Sequence, residues 1–200
     1  DEQSHEGSVH ADTSCAQCHT GVTVAQERAC ATIQTSVDCS ICHAEQVAEY
    51  DASTHGVLHA EGDPDAPSCQ DCHARHATLS ADLPASPTYP RSVPQLCGTC
   101  HRVGEQAATR IDSEVEDIVG SYEDSVHGRG LLKSGLVVTA TCADCHGAHS
   151  ELPPEDPNSP VNPNNISGTC GTCHHGIEEE FRSSIHFTED PLTDEDHPTC

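Results

Sequence analysis

Six times in 200 residues the sequence repeats Cys-x-x-Cys-His, and no other feature limits so strongly what the chain can fold into. The copies are Cys15-Ala-Gln-Cys18-His19, Cys39-Ser-Ile-Cys42-His43, Cys69-Gln-Asp-Cys72-His73, Cys97-Gly-Thr-Cys100-His101, Cys142-Ala-Asp-Cys145-His146 and Cys170-Gly-Thr-Cys173-His174. Two thiols three positions apart on a helical turn can reach the two vinyl groups of one haem. The next residue then projects its imidazole onto the iron. Other uses of paired cysteines fit less well. Zinc sites do not require a histidine directly after every second cysteine, a disulfide scaffold does not either, and thioredoxin-like chemistry uses one motif. At this composition about 0.1 copies would arise by chance. The twelve cysteines therefore read as covalent attachment points for six c-type haems. His19, His43, His73, His101, His146 and His174 read as the proximal iron ligands.

Composition supports that reading where a core has to be found. Aromatic residues make up 2% of the chain, and Trp and Met are absent, so the groups that usually supply much of a core's apolar area are missing. Haem fills that role, at one macrocycle per roughly 33 residues, which leaves little room for a separate protein core. The expected fold is mostly irregular with short α-helices, organised around a chain of haems, with little or no β-sheet. It is expected to form around the cofactors and to be absent without them.

Acidic residues outnumber basic ones 33 to 8, for a formal net charge of −25. Phosphate recognition needs Lys and Arg, so nucleic acid is excluded as a natural partner. The acidity fits solubility or a salty habitat better than a dedicated face for a basic redox partner. No stretch approaches the roughly 18 apolar residues of a membrane span; the longest apolar passage lies around Leu136–Ala140. The opening Asp-Glu-Gln-Ser-His reads as a mature N-terminus after export. Together with the abundant cysteines, it places the expected site of action in the periplasm, outside the cell or on its surface.

The chain also repeats on a longer scale. Cys69 to Cys97 and Cys142 to Cys170 both span 28 residues. Each span starts with a motif carrying a second histidine (His76, His149), runs through a Pro-rich stretch (Leu83–Pro94, Leu152–Pro163) and ends in Cys-Gly-Thr-Cys-His. The Pro-rich stretches read as extended covering loops. A second element recurs as Tyr50-Asp-Ala-Ser53-Thr-His55-Gly, Tyr122-Glu-Asp-Ser125-Val-His127-Gly and Phe181-Arg-Ser-Ser184-Ile-His186-Phe. Apolar residues at helical spacing (Ile177, Phe181, Ile185; Val115, Val119, Tyr122) predict a short helix that delivers a histidine at its end, with Gly56 or Gly128 stopping it. The organisation read from these repeats is a one-motif leader over 1–38, two-haem repeats over 39–96 and 97–169, and the start of a third over 170–200, all one cofactor-packed unit. Cys200 follows His186 by 14 residues, as Cys69 follows His55. It stands where a seventh motif begins and is a further candidate attachment point, so the chain is expected to belong to a longer protein.

Ten histidines remain after the six proximal ones. The repeat nominates His55, His127 and His186 from helix ends, and His76 and His149 from second-His motifs, as distal iron ligands. His10, just ahead of the first motif, is the sixth candidate, in competition with His5. His59, His175 and His197 read as ordinary surface histidines. Cys30 lies outside every motif, and reads either as a buried or free thiol or as a disulfide partner of Cys200. Pairing of each distal histidine with a particular haem is not legible at this level.

These residues resemble the multihaem c-type cytochromes of anaerobic respiratory and metal-reducing bacteria and archaea. The shared features are Ser-Val-His127-Gly, Cys142-Ala-Asp-Cys145-His146-Gly-Ala-His149 and Asn158-Ser-Pro-Val-Asn-Pro-Asn-Asn-Ile166, and the likeness extends over nearly the whole chain. It implies bis-His haems of mostly low potential in a closely spaced chain, stacked alternately parallel and perpendicular. Some such proteins polymerise into extracellular filaments, or nanowires. The expected function is electron transfer along the haem chain, as a carrier and not an enzyme, to redox partner proteins or an extracellular acceptor, with self-assembly into a filament as one form. The rival expectation is a multihaem reductase of a nitrogen or sulfur oxyanion, which needs one iron with an open distal position.

Overall fold

The computed structural model describes residues 2–19, 37–111, 113 and 115–187. Eleven short α-helices and one 3-10 turn carry the regular structure, and no strand occurs among the described residues. In chain order these are α1 (Glu2–Glu6), α2 (Cys15–Cys18), the 3-10 turn (Cys39–Ile41), α3 (Ala44–Ala52), α4 (Thr54–Ala60), α5 (Cys69–His73) and α6 (Val93–His101). They continue as α7 (Ile118–Asp124), α8 (Val126–Leu132), α9 (Cys142–His146), α10 (Ile166–Gly171) and α11 (His175–Arg182). The expectation of short helices, irregular connections and no sheet holds for these residues.

Protein alone does not make a core here. Among the described residues the buried hydrophobic ones are Val119 and Leu131, while Ile41, Val57, Val103, Val126, Val138, Ile177 and other large apolar side chains stand exposed. The chain exposes 13342 Å², against about 9,100 Å² for a compact monomer of the same mass. What is buried is largely polar: Ser53, Ser86, Thr141, Ser159 and Asn162. Their hydroxyls and amides tie turns together, as the hydrogen bonds below describe.

The repeat read from sequence recurs as a repeat of hydrogen bonds. The Tyr50 hydroxyl donates to the Pro67 carbonyl at 2.6 Å, and the Tyr122 hydroxyl to that of Ala140 at 2.8 Å. Each phenol ties its helix to the loop that enters the next second-His motif. That motif starts with a capping box: Asp71 accepts from the Ser68 backbone and hydroxyl, and Asp144 from those of Thr141. Reciprocal capping satisfies backbone N–H groups at helix starts, which lets α5 and α9 form although each is only 5 residues long.

Two expectations need correction. The histidines of the Tyr-x-x-Ser-x-His element do not end a helix. Ser53 and Ser125 end α3 and α7 in extended conformation and cap the next helix, their hydroxyls accepting from Gly56 and Gly128 at 3.1 and 3.0 Å. His55 and His127 therefore sit in the first turn of α4 and α8. Gly56 and Gly128 stop nothing. They are glycine because a Cβ there would collide with the carbonyl of Tyr50 or Tyr122. Similarly, the apolar spacing overran its helices: Val115 precedes α7, and Ile185 lies beyond α11 at 88% exposure. At the third copy α11 ends at Arg182, ahead of His186.

The Pro-rich stretches are the second correction. They are not extended but coil through consecutive turns three residues apart. Ser86 N bonds Leu83 O, Tyr89 N bonds Ser86 O and Ser92 N bonds Tyr89 O. The later copy steps through Asp156, Ser159, Asn162 and Asn165 in the same way. Prolines 84, 87 and 90, and 154, 157, 160 and 163, follow each turn's first residue. Proline presets the backbone angle needed at that second turn position. Ser86 and Ser159 close the coils with hydroxyl bonds to Leu79 O and Leu152 O. The coils then feed directly into α6, which carries the whole Cys97–His101 motif, and into α10, whose end carries Cys170.

Candidate metal centres

The capped starts of α5 and α9 present Cys69-Gln-Asp-Cys72-His73 and Cys142-Ala-Asp-Cys145-His146 on a single turn each, as thioether attachment to one macrocycle requires. The end of α6 presents Cys97, Cys100 and His101 in the same way. The fourth and fifth motifs meet where α6 packs against α9, with Cys97 beside Cys142, and Cys39 of the second lies beside Cys69 of the third. The remaining junctions are close as well. Burial raises the Cys39, Cys72 and Cys145 thiols, and further contributions come from Cys18 on Cys39, from Cys100 on Cys72 and from Cys170 and Cys173 on Cys145. The six motifs thus neighbour one another in the order of the sequence.

Histidine positions carry the most information. Five motif histidines each face one non-motif histidine. The pairs are His43 with His10, His19 with His76, His101 with His55, His73 with His149 and His174 with His127. Ring centroids are 6.0 Å apart in four pairs and 6.1 Å in that of His19, while interplanar angles range from 29° to 76°. Ordinary ring packing spreads over about 4.5–7 Å and prefers particular angles. Metal bridging predicts the narrow distance instead. An imidazole nitrogen binds a transition metal at about 2.0–2.1 Å and lies about 1.1 Å from its ring centroid, so two imidazoles across one ion stand about 6 Å apart at any ring rotation. Two facing imidazoles per site is the number of ligands that a four-nitrogen macrocycle leaves open. No group of three or more His, Cys, Asp and Glu side chains converges among the described residues, as a protein-only zinc cage would need. The residues present fit haem.

Carboxylates stand behind two of these histidines. Glu151 Oε2 lies 3.6 Å from His55 Nδ1, and Glu49 Oε2 lies 3.7 Å from His149 Nδ1. These separations exceed a hydrogen bond and put a carboxylate's negative charge on the Nδ1 side of each ring. Glu151 is held ionised against its burial by the His55 side chain and a backbone N–H, and its own carbonyl accepts from Thr54 N at 2.8 Å, at the start of α4. Burial lowers the pKa of His73 and His101, which favours the neutral imidazole that binds metal. Sequence reasoning passed over Glu49 and Glu151; Ser121 stands at the position of Glu49 in the second copy and Thr78 at that of Glu151 in the other second-His motif, so the repeat does not keep the carboxylates and does not mark them.

The other candidates part company. His146 and His186 face no imidazole at this spacing among the described residues, and His186 is exposed. His59 packs on Tyr50, while His175 is 77% exposed beside Glu178 and Glu179. The carbonyl of His5 accepts the Ser8 hydroxyl. Cys30, His197 and Cys200 lie outside the described residues. Comparison with protein-family models, with curated proteins and with solved structures gives no match.

Proposed function

We propose that this chain binds c-type haem at its six Cys-x-x-Cys-His motifs and conducts electrons along them as an exported protein. The observation that carries the reading is the set of five motif-to-distal histidine pairs at 6.0–6.1 Å. Haem supplies a reversible one-electron iron couple. Everything else is work for the polypeptide. The cysteine pairs hold each macrocycle covalently. At five motifs the paired imidazoles would hold the iron and leave no place on it for a substrate. Glu151 and Glu49 add negative charge beside His55 and His149, which favours the oxidised state and lowers the potential. The turn coils and capped helices set neighbouring motifs side by side in sequence order, which supports a linear path.

Assembly into a filament is one form of this conduit. It is tested by negative-stain imaging of the haem-loaded protein, where long fibres support the filament and single particles a soluble shuttle. The conduit itself is tested by spectroscopy. Haems on His19, His43, His73, His101 and His174 are expected to be low-spin and indifferent to cyanide and nitrite; a high-spin signal from any of them contradicts the reading. The rival, a reductase of a nitrogen or sulfur oxyanion, has one place to operate: His146, which no imidazole faces among the described residues.

A further inference from the structure

The two second-His motifs place one residue alike and use it differently. Directly after the motif histidine each turns on a positive φ, 62° at Ala74 and 89° at Gly147. Five residues past that histidine, a backbone carbonyl docks the segment that delivers a distal histidine to an even-numbered motif. The Thr78 carbonyl accepts from Val9 N at 2.9 Å, just ahead of His10, which faces His43 of the second motif. The Glu151 carbonyl accepts from Thr54 N at 2.8 Å, just ahead of His55, which faces His101 of the fourth. Threonine performs this backbone task in one copy, so the task does not explain a carboxylate in the other.

The Glu151 side chain stands between two centres. Its Oε2 is 3.6 Å from His55 Nδ1. Two residues back along the chain, His149 faces His73 of the third motif at 6.0 Å. The carboxylate acts electrostatically on His149 and Cys72 of the third centre and on Cys97 and His101 of the fourth. Ferric iron carries one more positive charge than ferrous, so a fixed negative charge nearby stabilises the oxidised form. With 26% of its side chain exposed, Glu151 is only partly screened by salt. Thr78, at the same place beside the His10 segment, brings no charge.

We infer that Glu151 serves two centres at once, lowering the potentials of the third and fourth haems together so that this middle pair is the last part of the row to be reduced. The inference rests on the haem reading above. It gives the row a step. Electrons in a partly reduced protein rest to either side of the middle pair, and passage over that pair sets the pace of transfer.

E151T is the test, because the protein's own other copy keeps the backbone bond with threonine. The haem-loaded protein and the variant are titrated with dithionite at controlled potential and followed by absorbance. Two haems are expected to move to higher potential together in E151T, with both remaining low-spin. At a fixed potential each should be about tenfold more reduced, a shift of about 59 mV for a one-electron couple. E155Q removes one charge from an exposed position in the same loop and is expected to move them by less. No shift, a shift of one haem alone, or a shift matched by E155Q overturns the inference. If E151T does not load haem fully, T78E decides: a carboxylate at that place is expected to lower one haem, and an unchanged titration overturns the inference. Intact mass on the unsubstituted protein separates these outcomes from failure of the haem reading, which shows as fewer than six haems.

Discussion

Tyr50 and Tyr122 show how much of this molecule hangs on single polar groups. Each phenol is pushed up to about 12, chiefly by burial. The neutral form, donating to Pro67 O or Ala140 O, is the one the fold favours. Stability from these bonds is therefore fully present below the unfolded value of 10 and lost as pH rises through about 12. An alkaline absorbance titration should show two phenols ionising near pH 12, and Y50F or Y122F should each lower unfolding stability by about 1 kcal/mol. Ionisation of all tyrosines near pH 10 would contradict this. At Gly56 and Gly128 the constraint is steric. An alanine Cβ meets the Tyr50 or Tyr122 carbonyl, so G56A or G128A should cost about 1–3 kcal/mol as an overpacked site. It should also convert one low-spin haem to high-spin by displacing His55 or His127. The repeated Tyr, Ser, His and Gly spacing made these residues legible as one element. The function of the glycine was not, because a glycine after a polar residue carries the same signal whether it ends a helix or admits a carbonyl.

Among the elements, motif-bearing turns come in two kinds. Second-His motifs open a capped helix (α5, α9), whereas Cys97 and Cys170 lie toward the ends of α6 and α10, which are fed by a coil of turns. The alternation of motif types was legible in the sequence, and so were five of the histidines that stand in pairs. Their partners were not, since each distal histidine reaches past its own motif to a more distant one. Nothing local in the sequence fixes that distance. The coils had a missed signal in plain view: prolines at a strict three-residue period. This long-range pairing makes its own prediction. H76G should open the haem on Cys15 and Cys18 and leave that on Cys69 and Cys72 low-spin. An experimental density map of the loaded variant would locate the five-coordinate iron; finding it at Cys69 and Cys72 would refute the cross-motif arrangement.

For the whole molecule, two facts set the energetics: a near-absent protein core and a net charge of −25. Unscreened repulsion between so many carboxylates opposes compaction. Raising salt from about 0.01 to 1 M shrinks the screening length from about 30 to 3 Å. The loaded protein should gain at least about 1 kcal/mol, seen as a rise of about 2–4 °C in Tm; an unchanged or lower Tm would mean that local ion pairs such as Arg110 with Asp63 and Asp65, or Arg102 with Glu123, dominate instead. On the proposed reading, haem would cover the apolar side chains that the polypeptide leaves exposed and would stand between the facing histidines. The account is tested most directly by the intact mass of the mature chain isolated from a host that attaches c-type haem. A polypeptide of these 200 residues should gain the mass of six haems, with no free thiol at the twelve motif cysteines. A chain of bare polypeptide mass, or one carrying disulfides or zinc in place of haem, would contradict it.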